Sequence, residues 1–265
     1  MKSQKVSVFL YSAAGLAVFI LCWHLLVCFT GVGQIFPSPF AVLRRFVDVS
    51  GRKIGKCMLY SHLGFSLLRV TMGYLIAAAM GILVGLIMAG SKMGNAIIRP
   101  LFAMIRPIPG ITWMPLFIPA LGVFILWFGT GWVTQIGIIF VAGFSHMVLN
   151  TYAGATRVDP KLVGAARMLG ANNTQVFYKV ILPSSVPYIF SGLQVALSSC
   201  WMAVLAAEMM SATEGIGWMI VSGQDNGDIE QVLVGVIIIS IIGLVLANTM
   251  RGVETKLCAW SVRGR

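Results

Sequence analysis

The feature that most constrains this chain is a stretch of fifty residues, 107–156, that contains no Asp, Glu, Lys or Arg. A helix needs about 20 apolar residues to cross a bilayer, so this stretch is long enough for two crossings. The Gly-Thr-Gly sequence at 129–131 divides it, which predicts helices near 100–127 and 132–150. Four prolines between positions 107 and 119 predict a kink or a local break in the first of them.

Four further apolar runs each predict one more crossing. They cover residues 6–30, 69–92, 179–208 and 230–251, and prolines at the start of the third place its helix from about Tyr188 onward. The first run is too long for a signal peptide and lacks a cleavage site. With 58% hydrophobic and only 10% charged residues, the chain is predicted to be an all-α membrane protein with six crossings, forming a single transmembrane domain over residues 1–265.

The cationic residues predict the orientation. The N-terminus, the segment after the second run, residues 157–179 and the tail hold twelve Lys and Arg, whereas residues 31–60 on the opposite side hold five. By the positive-inside rule both termini face the cytoplasm. The basic segment 31–60 is an exception to that rule. Because the cations flank apolar runs and form no basic face, a nucleic-acid partner is not expected.

Motifs for metal or nucleotide chemistry are missing from the sequence. The five cysteines are scattered without Cys-x-x-Cys spacing, so we interpret them as packing residues. The segment most similar to a P-loop, 50–57, has Ser50 in place of its first Gly and Cys57 in place of Ser or Thr. We therefore expect this chain to bind no cofactor. If its activity requires ATP, we expect the ATP to bind to a partner subunit.

Residues 157–183 form the most informative loop. The Asp-Pro pair at 159–160 predicts a helix start, and Gly170 predicts its end. Asn173 is predicted to cap a second helix that Pro183 stops. Periodicity alone leaves two interpretations equally open: a pair of amphipathic helices with a partner, or a connector lying on the membrane surface.

This loop resembles the "EAA" loop of binding-protein-dependent ABC importer permeases. Gly164-Ala165-Ala166 is followed by Gly170 and, after nine intervening residues, by Val180-Ile181-Leu182-Pro183. The chain is similar to the nitrate/sulfonate/taurine-type permeases over most of its length. The matching residues include Pro37-Ser38-Pro39, His62, Ser66-Leu67, Arg69, Gly73, Gly81, Gly85, Arg106-Pro107, Trp127-Phe128-Gly129, Pro187-Tyr188-Ile189, Ala206-Ala207-Glu208-Met209 and Gly215-Ile216-Gly217. Two departures are Gly164 in place of the loop's Glu and an insertion near 117–124.

The resemblance implies a type I ABC importer permease fold, a multi-pass location in the bacterial inner membrane and a set of partners. These are a second permease chain, expected to make a homodimer, a cytoplasmic ABC ATPase dimer that binds ATP, an extracytoplasmic substrate-binding protein and the lipid bilayer. The cargo it implies is a small solute such as a sulfonate, taurine or nitrate, or else a vitamin precursor. Within the cytoplasmic coupling loop 157–183, the residues expected to contact the ATPase are Ala165, Ala166, Leu169, Gly170, Phe177, Leu182 and Pro183.

Glu208 is an acid inside an apolar run, where it costs about 2.5–3.5 kcal/mol at mid-membrane unless it faces protein or water. We predict that Glu208, Gln194 and Ser198 share a broad helix face that lines a substrate pathway, and that His146 on the preceding membrane helix also lines it. The alternative is structural hydrogen bonding or, for Glu208, a position close to the outer interface. A stand-alone secondary transporter or channel is the rival class, but it would be expected to show internal repeats or several intramembrane ionisable groups. A membrane enzyme is less favoured, because no nucleophile–base pair is apparent.

Overall fold

The structure is a computed structural model that describes residues 2–34, 36–105, 108, 110–113 and 130–258. Almost all of this part of the chain is helical, which confirms the predicted all-α class. The helices are α1 (Lys2–Phe29), α2 (Pro39–Gly51), α3 (Leu59–Gly90), α4 (Lys92–Ile105), α5 (Thr130–Thr156), α6 (Pro160–Met168), α7 (Asn173–Ser211), α8 (Ile216–Asp225) and α9 (Ile229–Leu257). Two-residue strands, β1 (Lys53–Ile54) and β2 (Cys57–Met58), pair antiparallel before α3.

Five helices in the described residues are long and apolar enough to cross a membrane: α1, α3, α5, α7 and α9. They correspond to five of the six predicted crossings. The sixth, near 100–127, is described as a helix only as far as the end of α4. The four prolines between 107 and 119 and the insertion near 117–124 lie outside the described residues. A 3₁₀ turn at Gly110–Trp113 is the only further element described in that stretch.

The second crossing begins earlier than predicted. Its run was bounded at Arg69 because a formal charge normally ends an apolar span, yet α3 begins at Leu59 and carries Arg69 within it. The guanidinium is buried and paired with Glu208 and Glu214. A paired charge is tolerated inside the helix, since the carboxylates replace the water that it would otherwise need.

The start of α7 corrects two further predictions. The helix does not begin near Tyr188, and Pro183 does not stop a separate second helix, because α7 is continuous from Asn173 to Ser211. A π-helical turn at Phe177–Ile181 precedes Pro183, and the Leu182 N–H donates to the Phe177 carbonyl. This local rearrangement carries the helix past a residue that lacks an N–H.

Glycines allow α3, α5 and α7 to pack at close range. A Cβ at Gly85 of α3 would lie 2.7 Å from the Thr151 Cβ of α5, and one at Gly73 would lie 2.6 Å from Ile139 Cγ2. On α5, a Cβ at Gly143 would lie 2.6 Å from Cys200 Sγ of α7 and 3.2 Å from the Ala77 Cβ of α3. The Gly81-x-x-x-Gly85 pattern therefore lies in a helix contact within the chain, as expected for packing of small residues in membranes.

One end of the bundle is closed by α2, the β1–β2 hairpin and α8. Helix α2 begins at Pro39 after Ser38, whose Oγ accepts from the Ala41 N–H, and it buries Val42 and Val49. It is fastened to the start of α9 by the Arg45–Asp228 ion pair. The opposite end carries α6 and the first turns of α7, so the bundle has two chemically different ends.

Candidate functional site

Helix α6 begins as the sequence predicts and leads to a turn at Gly170. The Asp159 side chain accepts from the Lys161 N–H at 2.9 Å, with Pro160 at the first helical position. Gly170 has a φ of +80°, in the left-handed region where a β-branched residue is strained. The turn between α6 and α7 therefore depends on glycine for its backbone conformation and not for space, because nothing lies within 4 Å of a Cβ built there.

The cap of the following helix differs from the prediction by one residue. Asn172, and not Asn173, is the N-cap: its side chain accepts from the Gln175 N–H at 2.8 Å, and Gln175 Oε1 accepts from the Asn172 N–H at 2.9 Å. This reciprocal arrangement is a capping box, which needs Gln or Glu three residues after the cap. The sequence Asn172-x-x-Gln175 contains that signal.

The segment 160–176 presents apolar side chains to its surroundings. Met168 and Leu169 are 86% and 88% exposed and Leu162 is 53% exposed, whereas Val176 is buried against the chain itself. Ala165, Gly170 and Pro183 are also exposed, and Ala166, Phe177 and Leu182 are half-buried. Of the seven residues expected to contact an ATPase, four are therefore exposed and three are half-buried at this end of the bundle.

The four residues proposed for a substrate pathway do not gather at one point. Ser198 is exposed and its Oγ donates to the Gln194 carbonyl at 3.2 Å, while Gln194 is half-buried. His146 is half-buried on α5, and its carbonyl accepts from Asn150 Nδ2. Glu208 lies fourteen residues after Gln194, about 21 Å further along the helix axis. Their assignment to a pathway stays a prediction.

Glu208 is the centre of a buried polar cluster at the other end of the bundle. Its side chain is fully buried, and its carboxylate accepts three hydrogen bonds. Arg69 Nη1 donates at 2.8 Å, Ser66 Oγ at 2.9 Å and the Gly217 N–H at 3.0 Å. The structure thus gives Glu208 the structural partners that were the alternative to a pathway role.

Arg69 extends this cluster to the turn after α7. Its Nη1 also donates to the Glu214 carbonyl at 3.0 Å, and its Nη2 lies 3.4 Å from Glu214 Oε1. The guanidinium carbon lies 4.6 Å from the centre of the Trp132 ring, which adds a cation–π contact from α5. One arginine therefore contacts α5, α7 and the turn that leads to α8.

His62 completes the cluster in a defined tautomer. Its Nδ1 accepts from the Gly215 N–H at 3.0 Å, so the ring proton lies on Nε2 and faces the Ile54 carbonyl at 3.0 Å. The ring stacks on Trp218 with centroids 5.3 Å apart. His62 thereby links the β1–β2 hairpin to the turn before α8.

The sequence reasoning missed this cluster, although a signal was present. His62, Ser66 and Arg69 recur at i, i+4 and i+7, which places them on one face of a helix. A polar stripe on an apolar helix is expected to face polar partners inside the protein. Glu208 was the one acid predicted to lie inside the membrane, so it was the natural partner for Arg69 on this polar stripe.

Comparison with known proteins identifies the chain. The sequence model of the family described as "Binding-protein-dependent transport system inner membrane component" matches residues 81–257. The chain belongs to this family of permeases. It is 31% identical over 251 residues to the taurine transport system permease protein TauC of Escherichia coli, covering 94% of this chain and 89% of that protein.

Two other relatives of similar identity are also permeases. The permease is 34% identical over 245 residues to a putative ABC transporter permease of Methanocaldococcus jannaschii, covering 92% of this chain and 89% of that protein. It is 31% identical over 251 residues to the nitrate import permease protein NrtB of Synechocystis, covering 92% and 87%. It is thus the transmembrane permease subunit of an ABC importer.

Two solved structures share the fold. A chain of an amino acid ABC transporter gives a TM-score of 0.65 at 16% identity, covering 83% of the permease and 100% of that chain. A chain of the MetNI methionine ABC transporter in an inward-facing conformation gives 0.59 at 18% identity, covering 74% and 93%. These likenesses establish the type I importer fold for the permease.

Proposed function

We propose that two copies of this permease assemble with two cytoplasmic ATPases and one extracytoplasmic binding protein, and that ATP is hydrolysed only on the ATPases. The observation that carries this proposal is the uncovered apolar surface of residues 160–176, where Met168 and Leu169 are almost fully exposed. Exposed side chains of this kind on a turn outside the membrane-spanning helices are expected to bind another protein. Closure of the ATPase dimer would displace this surface and shift the bundle between outward- and inward-open states.

Both termini are proposed to face the cytoplasm. The twelve-to-five distribution of cations supports this orientation, with 157–179 on the same side as the termini. It places α6 where a cytoplasmic ATPase can reach it, and it places α2, α8 and the buried charge cluster at the extracytoplasmic end.

The cargo is proposed to be a small organic or inorganic anion. Support comes from the relatives' names, which specify taurine, aliphatic sulfonates and nitrate. Uptake of labelled taurine, an alkanesulfonate and nitrate into proteoliposomes that contain the complex with its binding protein would test the class. Uptake of none of these three, with normal uptake of an uncharged vitamin precursor, would refute it.

Two substitutions test the coupling surface. Gly170→Val strains a left-handed position and should misplace the start of α7. Ala166→Glu places a charge in an apolar contact, at a cost of several kcal/mol if it is left unpaired. Both should abolish co-purification with the ATPase and ATP-driven uptake, while the membrane helices insert normally.

The matched control is Gly164→Ala. Nothing lies within 4 Å of a Cβ at Gly164, and alanine favours the helix by about 1 kcal/mol. This variant should retain assembly and uptake. If Gly170→Val and Ala166→Glu also retained both, the segment would be a connector and the coupling proposal would fail.

A further inference from the structure

Helix α2 has two apolar faces, and only one of them is covered. Val42 and Val49 are buried against the bundle. Phe40, Leu43 and Val47, which recur at i, i+3 and i+7, are 73%, 60% and 67% exposed. A short helix with an exposed apolar face, at the end of membrane-spanning helices, is expected to lie in the interface between headgroups and acyl chains.

The exposed face borders an apolar groove between α1, α2 and α9. The groove has a volume of about 580 Å³. Its walls include Ile20 and Trp23 of α1, Phe40 and Leu43 of α2, and Ile237 and Ile241 of α9. Its walls are mostly apolar side chains, and its lining residues on α9 run from Val234 to Ile241, which suits an acyl chain.

A second hollow adjoins the groove and shares Phe40 and Leu43 with it. This hollow has a volume of about 680 Å³ and is lined by Arg44, Arg45 and Arg52, with the carboxylates of Asp48 and Glu230. Asp228, which pairs with Arg45, adds a third carboxylate, so the three arginines are matched in number and the hollow has no net excess of charge.

Arg44 is the cation available to a ligand. Arg45 pairs with Asp48 and Asp228, and Arg52 pairs with Asp48 at 2.9 Å. Arg44 is exposed and has no ion-pair partner among the described residues. It is i+4 to Phe40 and i−4 to Asp48, so it lies at the border between the apolar face of α2 and its ion-paired side.

We propose that this composite groove binds an anionic phospholipid, with an acyl chain between α1, α2 and α9 and the phosphate at Arg44. The occupant is a lipid and not a soluble acidic protein, because the surface around Arg44 is formed by exposed Phe40, Leu43 and Val47. The site gives a reason for the basic segment 31–60 on the side where the positive-inside rule expects few cations. It does not depend on the proposed cargo or ATPase contact.

The test is native mass spectrometry of the complete complex released from nanodiscs of phosphatidylcholine that contain a minor fraction of phosphatidylglycerol. The wild-type complex should retain phosphatidylglycerol in excess of its share of the bilayer. Arg44→Gln should lower that excess about fivefold, the effect of one cation near an anionic headgroup. Lys56→Gln is the matched control: it removes the same charge from the exposed β1–β2 turn, outside both hollows.

A second variant tests the apolar half of the site. Ile237→Trp should fill the groove and lower retention of both lipids, while Lys56→Gln changes neither. Equal losses for Arg44→Gln and Lys56→Gln would overturn the proposal in favour of diffuse charge attraction. Unchanged lipid retention in Arg44→Gln with weakened docking of the binding protein would overturn it in favour of a protein contact. Lipid retention is read without transport, so failure of the proposed cargo leaves this result intact.

Discussion

Substituting Gln for Glu208 preserves the size of the side chain and removes its charge while Arg69 stays buried beside it. The carboxylate has no exposed surface and accepts hydrogen bonds from Arg69, Ser66 and the Gly217 N–H. An amide has one oxygen in place of two, so Arg69 loses its acceptor if the amide nitrogen replaces Oε1, and Ser66 and Gly217 both lose theirs if it replaces Oε2. The guanidinium also loses the nearer of its two acidic partners.

The expected cost follows from this geometry. Breaking a buried ion pair by removing one partner costs about 3–5 kcal/mol, because the other charge is left uncompensated. Glu214 stays 3.4 Å from Arg69 but is a quarter exposed, so it offsets only a small part of the loss. We expect Glu208→Gln to lower the free energy of unfolding by about 3 kcal/mol.

The assay is reversible unfolding of the permease in mixed detergent micelles. Glu214→Gln is the control and should cost less than about 1 kcal/mol, since that pair is longer and partly solvated. In a double-mutant cycle, Arg69→Met with Glu208→Gln should cost about 2 kcal/mol less than the sum of the single changes. Equal costs for the two Gln variants, or additivity in the cycle, would refute a strongly coupled buried pair.

Three further predictions follow from other parts of the fold. Gly85→Ala should lower the free energy of unfolding by about 1–3 kcal/mol through overpacking. Gly64→Ala on the same helix, where nothing lies within 4 Å of the added Cβ, should raise the free energy of unfolding by about 0.5–1 kcal/mol. The same unfolding assay measures both. His62→Phe should cost about 1–3 kcal/mol, because the Gly215 N–H loses its buried acceptor, and should speed hydrogen exchange of that amide. Cysteines introduced near Arg263 and near Asp225 should be labelled from opposite sides of the membrane; labelling from one side would refute the topology.

The sequence predicted the helices well and their ends less well, for a physical reason. Hydropathy identifies a span by its composition, and five such spans are present in the described residues. It treats a formal charge as the end of a span. Arg69 is an exception to that rule. Its partner, Glu208, lies 139 residues away in the chain, so a local hydropathy window does not include it. A tertiary ion pair turns a charge that would end a helix into one that the helix buries.

Proline gave a second boundary error for a related reason. Pro183 lacks an N–H, so an ordinary α-helix is expected to break there. The π-turn at Phe177–Ile181 changes the local hydrogen-bond pattern and lets α7 continue. No residue pattern in the segment marks such a turn. By contrast, Asp159, Pro160 and Gly170 act through local backbone chemistry, and the structure places each where the sequence predicts.

The continuity of α7 joins the two sites that the sequence treated separately. Helix α7 begins after the turn at Gly170 and carries Glu208 near its other end. It has 39 residues, so it is roughly 58 Å long at 1.5 Å per residue. The close contacts at Gly143 and Gly192 oppose sliding of α7 past α5 at these two positions. A displacement at Phe177 must therefore be absorbed in the π-turn or at Pro187, or be carried by α5 and α7 together. Because Arg69 ties α3 to α7 near the far end, the buried ion pair limits how far the two helices can separate there.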